Sequence, residues 1–254
     1  MATANHSKQI SKPWLSWAFW IICFFGINIL LAVVQEKLNI TFFKGQLLLQ
    51  GGCEIGIIIA TLLINHFYTK EKFHFSNWNI FLRSWMVDLF IGYYIIAIIL
   101  NHNQMHHIGF YFVLAALIGI AEEFTFRGMI LGSLIHNWRG KNPILGGVLL
   151  SSLIFGLTHA VNAFSQPLPN TIVQIVVAFS LGVILAFMYL RTNNLITPIL
   201  FHLLVDFTSI SLTNTTESQA GWGAALPILI VALLVLFFQL KPRPRTQIKR
   251  DFNL

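Results

Sequence analysis

The chain has 254 residues, of which 56% are hydrophobic and only 10% charged, with 23 Phe and a mean hydropathy of +0.72. A water-soluble domain has no interior large enough to hide so much apolar surface, so the composition points to a protein whose solvent is lipid. The net charge of +7 must then be located before it is interpreted, and the two cysteines, Cys23 and Cys53, fall in apolar stretches that support neither a disulfide framework nor redox chemistry.

A helix needs about 20 apolar residues to cross roughly 30 Å of hydrocarbon. Eight stretches of the chain qualify in order: Trp14 to Val34, Gln46 to Tyr68, Ser84 to Leu100, Gly109 to Ile135, Pro143 to Val161, Thr171 to Leu190, Leu195 to Leu212, and Gly221 to Leu240. Lys8 and Lys12 ahead of the first resemble the basic start of a signal peptide. The apolar stretch is too long for one, and no small-residue cleavage site follows, so a retained helix is expected. The predicted fold is all-α: a polytopic bundle of about eight transmembrane helices forming one integral-membrane domain over 1–254, with a motif-bearing core at about 109–212 and a basic tail at 241–254.

Basic residues are retained on the cytoplasmic side of a membrane. With the N-terminus inside, that side holds Lys8, Lys12, Lys70, Lys72, Arg83, Arg139, Lys141, Arg191 and the Lys and Arg of the tail, against Lys37 and Lys44 on the other. The charge therefore reads as topology, and the tail KPRPRTQIKR also suits anionic headgroups of the plasma membrane. Nucleic-acid binding is not the reading it favours. Both termini are expected in the cytoplasm.

Within the fourth stretch, Glu122, Glu123 and Arg127 interrupt an apolar run, each at a cost of about 2.5–3.5 kcal/mol on insertion scales. Glu123 and Arg127 are four apart, on one helical face, while Glu122 lies about 100° around. A structural ion pair would account for one acid and the base; it leaves one carboxylate over. The fifth stretch carries Phe155 and His159 one turn apart, with Gly156 between them permitting a close neighbour, and the seventh carries His202 and Asp206, again four apart. Lipid penalises all of these, so they are expected to turn inward around shared water. Glu54 and Asp88 are intramembrane acids outside any such pattern and read as packing or interfacial residues. His102, His106 and His107 share a short loop without the carboxylate or thiolate partners that would favour a metal.

A carboxylate and an imidazole in a restricted wet pocket suit general-base activation of water. A second histidine beside another carboxyl side chain can hydrogen-bond the oxyanion formed when water adds to an amide. The reaction class is peptide-bond hydrolysis.

At EEFTFR (122–127), FGLTH (155–159) and HLLVD (202–206) the sequence resembles the CAAX protease and bacteriocin-processing family of intramembrane endopeptidases, related to the type II Ras-converting CAAX prenyl endopeptidase. That family has an EExxxR motif, an FxxxH motif on the next helix and HxxxN or HxxxD two helices later. The resemblance covers roughly Gly109 to Ile210. It implies that Glu122 with His159 orients and deprotonates the attacking water, that His202 and Asp206 stabilise the oxyanion, and that Glu123, Arg127 and Phe155 support them. Asp206 stands where many members have Asn; it donates a hydrogen bond only when protonated, and orienting His202 is its other available role.

No cofactor is required on this reading, and the expected partners are the bilayer and a membrane-associated protein or peptide substrate, with bacteriocin self-immunity an associated role. Two alternatives stand beside it. Glu122, His159 and His202 are a plausible zinc set for a metalloprotease, and a non-catalytic immunity or transport protein would use the same buried charges as a path or scaffold. One geometric tension is visible: His159 falls roughly 24 Å from the start of its helix, further along than the other groups, and a misplaced helix boundary is the expected reason.

Overall fold

A computed structural model describes residues 13–40, 43–75, 85–164, 166–215 and 221–254, and among them the secondary structure is helical apart from one isolated bridge, Phe75 to Asn194. Lys8, Lys12 and Arg83 of the charge pattern lie outside the described residues. The long helices are α1 (Pro13–Lys37), α2 (Phe43–Ile64, extended by a π turn over Asn65–Thr69), α3 (Trp85–Asn101) and α4 (Ile108–Asn137), followed by α5 (Pro143–Thr158), α6 (Leu168–Thr192), α7 (Ile196–Thr213) and α8 (Trp222–Gln239). A short basic helix, α9 (Pro242–Asp251), closes the chain.

Seven of the eight long helices are long and apolar enough to cross a membrane, making this a multi-pass membrane protein. The eighth, α3, has 17 described residues, or about 26 Å at 1.5 Å per residue. It runs beside α7: Phe90 and Tyr94 pack on Phe201 at 5.6 and 5.5 Å, and Ile98 reaches the cluster of Phe207 and Ile210. Ile22, Leu48, Ile59, Ile96 and Leu233 are among many large apolar side chains left facing outward, the surface that lipid rather than water would cover.

Glycines set the closest helix crossings. A Cβ at Gly119 of α4 would sit 3.3 Å from the Ile199 carbonyl and 3.4 Å from the Leu203 amide of α7, and one at Gly156 of α5 would sit 3.0 Å from the Ile175 carbonyl of α6. With little hydrophobic drive between helices in lipid, such small residues let backbones approach and pack.

The two ends of the bundle differ. At one end the segments around 70–75, 136–142 and 191–195 are tied to α9: His136 contacts Glu71 at 2.8 Å and the Phe252 carbonyl at 3.0 Å, Arg245 bonds Asn142, Arg191 bonds Gln247, and the Leu195 amide donates to the His74 carbonyl. This cap gathers the basic loops. Burial, then Lys72 nearby, holds the His74 imidazole below its ordinary range. The tail is thus a docked helix with Ile248 and Phe252 buried, while Arg243 and Arg250 stay exposed. At the opposite end, the His106 amide donates to the Ser211 carbonyl and the Tyr111 hydroxyl to Asn214. The loops that charge alternation assigns to one side do share one end.

Candidate active site

α4 changes pitch where its charges begin. It is α-helical through Glu123 and π-helical over Phe124–Leu131, the stretch that contains Arg127. A π turn widens the helix and is often found where side chains must be re-aimed. Thr125 in this stretch bonds Thr61 of α2 at 2.7 Å, and Thr61 accepts from the Trp20 indole at 3.1 Å, so the widened turn is fastened to α2 and α1.

Arg127 is 2% exposed and donates to Glu123 Oε1 at 2.6 Å; its other amino group reaches the Gly182 carbonyl of α6 at 3.3 Å, and its guanidinium lies 4.7 Å from the centre of the Phe155 ring. Glu123 is fully buried, its Oε1 shared between Arg127 and His202 Nδ1 at 2.8 Å, its Oε2 without a hydrogen-bond partner. Such a pair costs desolvation to bury but is costly to break, because the survivor is an uncompensated charge.

His202 is the hub. Its Nε2 lies 3.3 Å from Glu122 Oε2 and 3.5 Å from Asp206 Oδ2, so one imidazole faces three carboxylates. The close approach at Gly119 brings the α7 backbone near enough for this. Glu122 and Asp206 are 25% and 24% exposed, against 4% for His202, and all three line a cavity of about 550 Å³.

His159 lines the same cavity, at the start of a 3₁₀ turn that continues α5. Its Nδ1 lies 3.0 Å from the Phe155 carbonyl. A carbonyl only accepts, so Nδ1 carries the proton and Nε2 of the neutral ring keeps a lone pair, the state a general base needs. The Phe155 ring packs against both imidazoles, 5.2 Å from His159 and 5.9 Å from His202.

Each residue singled out in the sequence is thus in or against one site, with two differences of detail. Glu122 is beside His202 and makes no hydrogen bond to His159, although both face the cavity. The helix carrying His159 starts at Pro143 as expected, so a misplaced boundary is not the answer to its depth; the cavity is simply long enough to include it.

Glu54 is the residue whose place the sequence did not reveal. It is 5% exposed, bonded by Gln50 at 2.6 Å, and on the cavity wall with Gln50, Asn28 and Thr125. The usable signal was an intramembrane acid with an amide one turn away, since such acids face bundle interiors. Asp88 does not line the cavity, the His102 ring contacts the Ile99 carbonyl, and the His106 backbone amide donates to the Ser211 carbonyl.

Among the described residues no three His, Cys, Asp or Glu side chains are gathered as a metal-ligand set.

Residues 104–208 match the family described as Type II CAAX prenyl endopeptidase Rce1-like. Among curated proteins the chain is similar to the Membrane-embedded CAAX protease MroQ of Staphylococcus aureus (strain USA300), 34% identical over 98 residues. That match takes in 37% of this chain and only 35% of the relative's length.

Proposed function

With residues 104–208 belonging to the CAAX protease and bacteriocin-processing family as the premise, we propose that this chain is an intramembrane endopeptidase that hydrolyses a peptide bond of a membrane-associated protein or peptide with a glutamate-activated water. The observation that carries the reading is the pairing of unlike glutamates. Glu123 is committed to Arg127 and His202 in a dry interior, and Glu122, one residue away, stands on a wet wall.

Water in the cavity donates a proton to the Glu122 carboxylate as its oxygen adds to the substrate carbonyl. His159, with its Nδ1 proton held by the Phe155 carbonyl, offers Nε2 as the second acceptor for that water. The negative charge on the carbonyl oxygen is met by His202, whose Nε2–H donates toward the cavity, and Asp206 orients that ring or, protonated, donates beside it. Collapse returns the proton to the leaving amine. Asp206 in place of Asn makes the second donor depend on a proton that an amide would carry at every pH. The site is proposed to work without a metal, so activity persists in chelator-treated protein; loss on chelation with metal-specific rescue would contradict this.

The test compares protein termini in membranes of cells expressing wild type or Glu122→Gln at equal levels. A terminus present only with the intact residue supports proteolysis. Identical termini with an unchanged phenotype overturn it in favour of a non-catalytic immunity or transport role.

A further inference from the structure

The cavity has a direction. Its wall comes from α1, α2, α4, α5, α6 and α7 and from turns at the end of the bundle away from the basic cap; no residue of 70–75, 138–142, 191–195 or 241–254 lines it. The cap side is closed by packing. Phe73 lies against Gly128, where a Cβ would come within 2.7 Å of its ring, and Glu71 lies against Gly132. Both contacts sit directly beneath Arg127 and Glu123, the driest groups of the site.

Exposure increases the other way. Glu123 is fully buried and His202 nearly so; Asp206 and Glu122 are a quarter exposed; Thr213, two turns beyond Asp206 on α7, is exposed and still on the cavity wall. Where the cavity meets this end its lining is uncharged, with amides and hydroxyls set among Val161, Val177 and Ile210. Asn162 on the wall donates to the side-chain carbonyl oxygen of Gln174 at 2.9 Å, Gln166, not itself on the wall, donates to the same oxygen at 2.7 Å, and Thr213 stands among the lining hydroxyls. Amides and hydroxyls of this kind pair with the N–H and C=O groups of an extended polypeptide, which otherwise would be stranded on leaving water.

From this placement we infer that substrate reaches Glu122 from the face opposite the basic cap, and that the polypeptide processed here is presented as an extended segment on the exoplasmic side of the membrane. The word substrate rests on the proteolytic reading above, and the identity of the exoplasmic face rests on the concentration of Lys and Arg at the cap. Among the described residues, a polypeptide presented at the cap would meet the contacts of Phe73 and Glu71 with α4 rather than the cavity wall.

Cysteine accessibility in the full-length protein in cells separates these points. In a background carrying Cys23→Ala and Cys53→Ala, Thr213→Cys probes the opening, Ser209→Cys the wall one turn deeper, and Arg250→Cys the cap. A membrane-impermeant maleimide is expected to label Thr213→Cys and Ser209→Cys in intact cells as fully as in permeabilised ones, and Arg250→Cys only after permeabilisation. Opening positions that react only after permeabilisation overturn the inference, and so does an Arg250→Cys that reacts in intact cells, because the cap would then face outward. An unlipidated reporter peptide added to sealed right-side-out vesicles supplies the second arm, and cleavage lost with Glu122→Gln is the expected result. The labelling pattern decides the route of access by itself. With that pattern in place, the absence of any Glu122-dependent cleavage counts against the proteolytic reading and leaves the route standing.

Discussion

The cap half and the open half of this bundle solve the problem of polar groups in lipid differently. Toward the cap, Arg127 and Glu123 are dry and answered by each other, by His202, by the Gly182 carbonyl and by the Phe155 ring. Toward the opening, Glu122, Asp206, Glu54 and His159 share a cavity and leave capacity for water. Burial with each charge answered by an opposite one gives rigidity; burial beside a cavity with room for water gives reactivity. The same two residue types, a glutamate and a histidine, serve both ends.

That contrast is broken or sharpened by substitutions whose expected effects fall in order. Arg127→Met leaves the buried Glu123 with His202 as its remaining partner, and is expected to destabilise the protein by about 3–5 kcal/mol, read as loss of folded protein in detergent. Unchanged thermal unfolding would mean that the pair is not what holds α4 in place. Gly119→Ala forces the α4 and α7 backbones apart by a few tenths of an ångström, with a cost of about 1–3 kcal/mol. Because His202 is seated by that crossing, cleavage is expected to fall further than stability alone explains; equal falls in both would detach the crossing from the site.

Smaller effects belong to the rim of each half. Glu54→Gln keeps the shape, the cavity and an oxygen that accepts from Gln50, and removes only a charge from the wall, so KM is expected to change by less than about tenfold with kcat little changed. A fall in kcat with KM intact would make Glu54 part of the chemistry itself. Arg245→Ala, which removes an exposed contact to Asn142, is expected to cost less than about 1 kcal/mol and to leave cleavage alone.

Much of this was legible before any coordinates. The starts of the helices at Pro143, Ile196 and Trp222 were readable to within about one residue because lipid demands long apolar runs, and the site's core was readable because a charge at such depth must turn inward. Glu123 to Arg127 and His202 to Asp206 follow from a spacing of four. What stayed hidden was tertiary. Nothing local says that His202 reaches Glu122 and Glu123 across the Gly119 crossing, that α4 loosens into a π turn after Glu123, or that Glu54, on a helix outside the matched segment, completes the wall. The basic tail reads as a segment suited to anionic headgroups; Ile248 and Phe252, two apolar residues one turn apart, are what dock it.

The adjacent glutamates give the most direct measurement. Glu122→Gln and Glu123→Gln, purified in the same detergent, are each assayed for thermal unfolding and for cleavage of a reporter peptide. The expected result is that Glu122→Gln unfolds like wild type while cleaving at least about 10²-fold more slowly, and that Glu123→Gln is destabilised as well as inactive. A Glu122→Gln protein that folds and still cleaves at the wild-type rate would contradict the assignment of the wet glutamate as the group that activates water.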